Sequence, residues 1–129
     1  MSRFKNIENT AMFEPSNFNL YTFETYIIDK IIIYQIIKMS KSIFICVNYT
    51  NELNFNDLSY VILSRDNVPI STQLMGDFSE ESFQNIAMRL CKKLKKNVYF
   101  SCNVNSDRIT LPLIEEHLVK EINKYPEKF

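Results

Sequence analysis

VPISTQLMGDFSEESFQNIAMRLCKKLKKNVYFSCNV, residues 68–104, changes its hydrophobic period twice, and the two changes decide the fold. VPISTQLM (68–75) reads as a strand. Pro69 cannot donate to a ladder, which puts the start of that strand at an edge or a bulge. Phe83, Ile86, Ala87, Leu90, Cys91 and Leu94 then recur at helical spacing and draw one apolar stripe on a helix of about four turns. NVYFSCNV (97–104) alternates again, with Val98, Phe100, Cys102 and Val104 on one face. Gly76, the sole glycine in 129 residues, stands where the first strand gives way to the helix. A sharp reversal there needs positive φ, which glycine adopts freely. A phosphate loop is disfavoured, because no second glycine and no lysine follow, and Asp77, Glu80 and Glu81 would repel an anion. Asp77 or Ser79 is the expected cap of the helix. Glu80 and Glu81 suit the positive end of its dipole, and Lys92, Lys93, Lys95 and Lys96 the negative end.

Working outward, FNLYTF (18–23) alternates, with Phe18, Leu20 and Thr22 on one face and Tyr21 and Phe23 on the other. KIIIYQIIKM (30–39) is dense in β-branched residues and has no polar helical face, so strand is preferred. The turn Ser40-Lys41-Ser42 leads to IFICV (43–47), apolar on both faces and therefore a central strand covered on both sides. LSYVILS (58–64) precedes the turn Arg65-Asp66-Asn67. Downstream, Leu111, Ile114, Leu118, Ile122 and Tyr125 mark a second helix over 111–124, with Thr110 as its expected N-cap, Pro112 in its first turn and Pro126 as its stop. Five strands, a helix, a strand and a helix make an α+β fold: a six-stranded antiparallel sheet with two amphipathic helices packed on it. Residues 1–16 are polar and unpatterned and are expected to be a flexible arm; residues 17–129 are expected to be one domain.

Lysine plus arginine balance aspartate plus glutamate, 15 against 15, so there is no long-range field to draw in nucleic acid or an anionic membrane. Three cysteines without a CxxC pair argue against a disulfide framework or a structural zinc, and no cofactor is expected. The N-terminal stretch has no apolar signal region. YIIDKIIIYQIIKM (26–39) is interrupted by Asp29, Lys30, Gln35 and Lys38 and falls short of the roughly 20 apolar residues of a membrane span. A soluble, intracellular protein is expected. His117 is the single histidine and lies mid-helix, so a three-histidine metal site is impossible. A Cys–His nucleophilic pair with Cys46 or Cys102 lacks any signature. Cys91 and Cys102 read as small core hydrophobes.

VPISTQLMGD, the run NIAMRLCKKLKKNVYFSCNV and the ending YPEKF together resemble the proteasome assembly chaperone 4 family. That family shows a Pro-hydrophobic-Ser-Thr strand, a Leu/Met-Gly-Asp turn, an Arg/Lys-rich amphipathic helix, a VYFS-N strand and a terminal Pro-Glu-Lys-Phe. Weaker likeness runs upstream through YQIIKMSKSIFICV, so the resemblance spans residues 20–129, with a departure between Asn48 and Leu58. It implies a non-enzymatic protein of the same six-stranded, two-helix fold. It also implies a heterodimer with the paralogous proteasome assembly chaperone 3, which holds α-type subunits, especially the α5 type, while the 20S α-ring assembles, and leaves as β subunits arrive. The family's sheet takes part in pairing, which points to Ser71 and Gln73 for the chaperone–chaperone contact. In RLCKKLKKN (89–97), a solvated helix end with dipole-matched lysines is the plainer reading. As a binding surface, Arg89, Lys92, Lys93 and Lys96 would face an α subunit or the partner chaperone before RNA, since no aromatic residues interleave them. No nucleic acid and no membrane partner is expected. A homodimer of the isolated chain and a dimerising adaptor for other proteins stay open as alternatives. The expected location is the cytoplasm, with the nucleus as a second one. Some proteasome-binding tails carry a penultimate tyrosine; here that position is Lys128, so Phe129 is expected to fold back onto its own domain.

Overall fold

Alternating β-branched and aromatic residues form six strands: β1 (Asn19–Ile27), β2 (Lys30–Lys38), β3 (Ser42–Tyr49), β4 (Leu58–Leu63), β5 (Pro69–Met75) and β6 (Asn97–Cys102). The structure, a computed structural model, describes residues 18–78, 81–105 and 107–129. The expected arm at 1–16 and the candidate cap Ser79 lie outside the described residues. The strands make one sheet in the order β1-β2-β3-β6-β4-β5. It is mostly antiparallel, with one correction to the expected pattern: β3 and β6 run parallel, from Ser42↔Asn97 to Val47↔Cys102. The reason is topological. Residues 50–57 carry the chain past the lane beside β3, and the helix after β5 returns β6 into that lane, against β4 but along β3.

Two helices, α1 (Ser82–Leu94) and α2 (Thr110–Lys124), cover one face of the sheet. α1 lies on β4, β5 and β6, while α2 reaches β1. Their stripes bury Ile86, Ala87, Leu90 and Cys91 from α1 and Leu111, Ile114, Leu118 and Ile122 from α2. The sheet meets them with Ile32, Ile36, Ile43, Ile45, Val98 and Phe100. Each fully buried side chain of this kind contributes about 1.5–3 kcal/mol. Cys91 and Cys102 sit in this core, as their positions on apolar faces implied.

The helix starts differ from expectation. α1 begins at Ser82 with Glu81 in the cap position and no side-chain cap bond, so Asp77 does not cap it. Thr110 is the first helical residue of α2 and is itself capped from Asp107. Asp107 Oδ1 accepts from the main-chain N–H groups of Ile109 at 3.0 Å and Thr110 at 2.5 Å, and Oδ2 accepts from Thr110 Oγ1 at 2.9 Å. These bonds hold the Asp107 carboxyl below the usual carboxylate range. Gly76 has φ 116, and a Cβ there would collide with Asp57 Oδ1 and stand 3.0 Å from Gln73 Nε2. The turn reading of the lone glycine therefore holds for two reasons, backbone and space.

Past α2, a short 3-10 turn at Pro126–Lys128 folds Phe129 back to 2% exposure against its own chain. Its ring meets Tyr21 edge-on, with centroids 6.1 Å apart. Lys96 Nζ donates to the main-chain oxygen of Phe129, and Lys38 Nζ donates to that of Glu127 at 2.6 Å.

Candidate protein-interaction surface

Among the described residues, the face of the sheet away from the helices carries no second layer of secondary structure. Strand alternation and register put one continuous row across it: Leu20, Ile37, Phe44, Tyr99, Tyr60 and Thr72, one residue from each strand. Tyr60 and Tyr99 stack with ring centroids 4.3 Å apart. Towards β5, Ile62 pairs with Ile70, the latter 50% exposed, and Leu74 follows on the same face. Towards the β1–β2 turn, Tyr26 pairs with Ile31. Large apolar side chains thus stand in solvent on β1, β2, β4 and β5, with Phe44 of β3 and Tyr99 of β6 half-buried between them. Six strands at about 4.8 Å spacing and about seven residues at 3.3 Å each give a face of roughly 650 Å². That approaches the ~800 Å² that a standard-size interface buries per partner.

Residues 50–57 fold over one end of this face and are held by asparagines. Asn54 N–H donates to Asn48 Oδ1 at 2.9 Å, and Asn56 N–H donates to Asn103 Oδ1 at 2.8 Å. Phe55 stacks on Phe44 with centroids 6.2 Å apart. Between this flap and the sheet lies an apolar cavity of about 470 Å³, lined by Leu20, Ile37, Phe44, Leu53 and Phe55, with Cys46 and Asn48 at its floor. Such a recess accepts a protruding side chain from another protein.

The three cysteines are buried. Burial pushes the thiols of Cys46, Cys91 and Cys102 above their ordinary values, which keeps them protonated at neutral pH. Among the described residues no group of three His, Cys, Asp or Glu is placed to hold a metal ion. No helix of the described residues is long and apolar enough to cross a membrane.

The residues singled out from sequence do not converge. Ser71 and Gln73 point to the helix side, half-buried. Ser71 Oγ donates to Gln84 Oε1 at 3.2 Å, while Gln73 Oε1 accepts from Gln84 Nε2 at 3.1 Å. Gln73 Nε2 also donates to Asp57 Oδ1 at 3.2 Å and to the main-chain oxygen of Asp77 at 3.1 Å. The pair joins β5 to α1 and organises the turn at Gly76. Arg89 donates through Nε and Nη2 to both carboxylate oxygens of Glu115, at 2.6 and 2.7 Å, and ties α1 to α2. Lys92 and Lys93 are exposed at the end of α1. Lys96 is engaged with Phe129, and burial, then the neighbouring Lys38 charge, lowers its pKa. On β5 it is the other set, Ile70, Thr72 and Leu74, that faces outward. The signal for it was the same alternation, with Ile70 and Leu74 as apolar members of the face opposite Ser71 and Gln73.

The sequence was compared with known proteins. The family model described as proteasome assembly chaperone 4 matches residues 31–104. The human protein named proteasome assembly chaperone 4 is 29% identical over 125 residues, covering 95% of this chain and all of its own length. The mouse protein of the same name is 28% identical over the same span. Among solved structures, a chain of a novel chaperone complex for yeast 20S proteasome assembly superposes with a TM-score of 0.60. The match covers 87% of this chain and 97% of that one at 8% identity, a likeness of fold.

Proposed function

Because the chain belongs to the proteasome assembly chaperone 4 family, we propose that it acts without catalysis as one half of a heterodimer with the paralogous proteasome assembly chaperone 3. The pair would hold an α-type subunit, the α5 type first of all, while the 20S α-ring is built. The observation that carries the pairing is the uncovered sheet face, whose row from Leu20 to Thr72 is too apolar and too broad to be ordinary surface. A second sheet laid on it would bury that row and complete a sandwich. Differential affinity does the work of assembly: a surface that fits the free subunit better than the finished particle needs neither nucleotide nor metal. Co-expression with the paralogue and the α5-type subunit, followed by native mass spectrometry, tests this reading. A stoichiometric ternary complex supports it. A heterodimer that ignores the subunit would return the chain to the class of dimerising adaptors.

A further inference from the structure

We propose that the tip of the β1–β2 hairpin, centred on Ile28, is the anchor that this chain inserts into an apolar socket of the α-type subunit; the inference rests on the chaperone reading above. Ile28 has φ 59, in the left-handed region. A β-branched residue there is a genuine outlier, and two-residue hairpin turns ordinarily use Asn, Asp or Gly at such positions. The side chain is 67% exposed, so packing against the described residues offsets little of the strain. Strain of this sort collects where a residue serves something outside the fold. One further apolar group, Ile109, is 65% exposed.

Their placement separates this tip from the pairing face. The last rung of the β1–β2 ladder is Ile27↔Lys30, so Ile28 and Asp29 project past the end of the sheet. Ile28 overhangs a cavity of about 170 Å³ whose far wall is Asn105, Asp107 and Thr110, ahead of and at the start of α2. Ile109 lies between the last two. Ile28 therefore projects from the end of the molecule, past the last rung of the sheet whose face a partner would cover. A heterodimer that also holds a third protein needs a surface outside its own pairing face, and the Ile28 tip is apolar, exposed, projecting and strained.

The test is Ile28→Asn in the full heterodimer with the paralogue, with binding of the α5-type subunit measured by biolayer interferometry. Asparagine tolerates the left-handed conformation, so the variant chain is expected to melt about 3 °C higher than the parent. Loss of the anchor is expected to weaken subunit binding about tenfold while the heterodimer stays intact. Ile109→Ser, which relieves no strain, is expected to weaken subunit binding without raising the melting temperature. Subunit binding unchanged in both variants would overturn the assignment. So would loss of the heterodimer itself in Ile28→Asn, since the tip would then belong to the chaperone pair. If the parent heterodimer already ignores the subunit, the chaperone reading falls and takes this inference with it.

Discussion

The Tyr21 hydroxyl donates to Glu121 Oε1 at 2.8 Å, across 100 residues of sequence. It fastens β1, an edge strand, to the last turn of α2. Phe23 stacks on the Tyr21 ring at 5.6 Å between centroids, and Lys128 Nζ sits 3.9 Å above it. Burial, and then the Glu121 carboxylate, push the Tyr21 hydroxyl above its ordinary pKa. Tyr21→Phe keeps every ring contact and removes only the hydrogen bond. Urea unfolding should show a loss of about 1 kcal/mol with an unchanged m-value.

Gly76→Ala should cost more than about 1 kcal/mol, because alanine meets both an unfavourable φ and the Asp57 carboxylate. The displaced Asp57 and Gln73 link β5 to the chain before β4, so the damage should spread to that edge. Amide hydrogen exchange across β4 and β5 is the measurement that localises it.

Ile62→Lys separates folding from pairing. Ile62 is 40% exposed on the uncovered face opposite Ile70, so stability of the isolated chain should move by no more than about 0.5 kcal/mol. A lysine facing the partner sheet should nevertheless abolish the heterodimer, as read by analytical ultracentrifugation. Retained pairing would remove the uncovered face from the interface.

Cys46, Cys91 and Cys102 should be silent to thiol reagents in the native chain and react together on unfolding. Their folded pKa values are raised, so the folded state binds protons more tightly than the unfolded one. Their contribution to stability is complete below the unfolded thiol value of about 8.5 and falls as pH rises above it. Tyr34, raised by burial, acts in the same sense at higher pH. Melting temperatures between pH 7 and 10 should decline above about pH 8.5 and not below it.

The strands and helices were legible because each residue's side is set by local period. β5 alternates in the structure as in the sequence, and the α1 stripe buries Ile86, Ala87, Leu90 and Cys91. Lateral order is another matter. A period of two says which way Ile45 points but not that Phe100 lies beside it, so the parallel β3–β6 junction was beyond a local reading. Asp107 escaped notice because its cap is made from the turn before the helix, where Thr110 looked sufficient by itself. The flap at 50–57 is held by asparagine side chains with no periodic signal, Asn48 bonding main chain six residues on and Asn103 main chain 47 residues back. The candidate interaction face was half legible. Alternation in β5 was visible, but which of its two faces the helix would cover depended on where α1 packed.

The order β1-β2-β3-β6-β4-β5 also governs how the chain emerges from a ribosome. Until residues 97–102 are made, the sheet exists as a three-stranded piece and a two-stranded piece, each with a raw edge, on β3 and on β4. Both edges carry buried-type residues such as Ile45 and Val61, and both are open to any neighbouring strand. Only β6, arriving late, closes the seam, so a nascent chain stalled before Asn97 exposes two strand edges that the finished fold pairs.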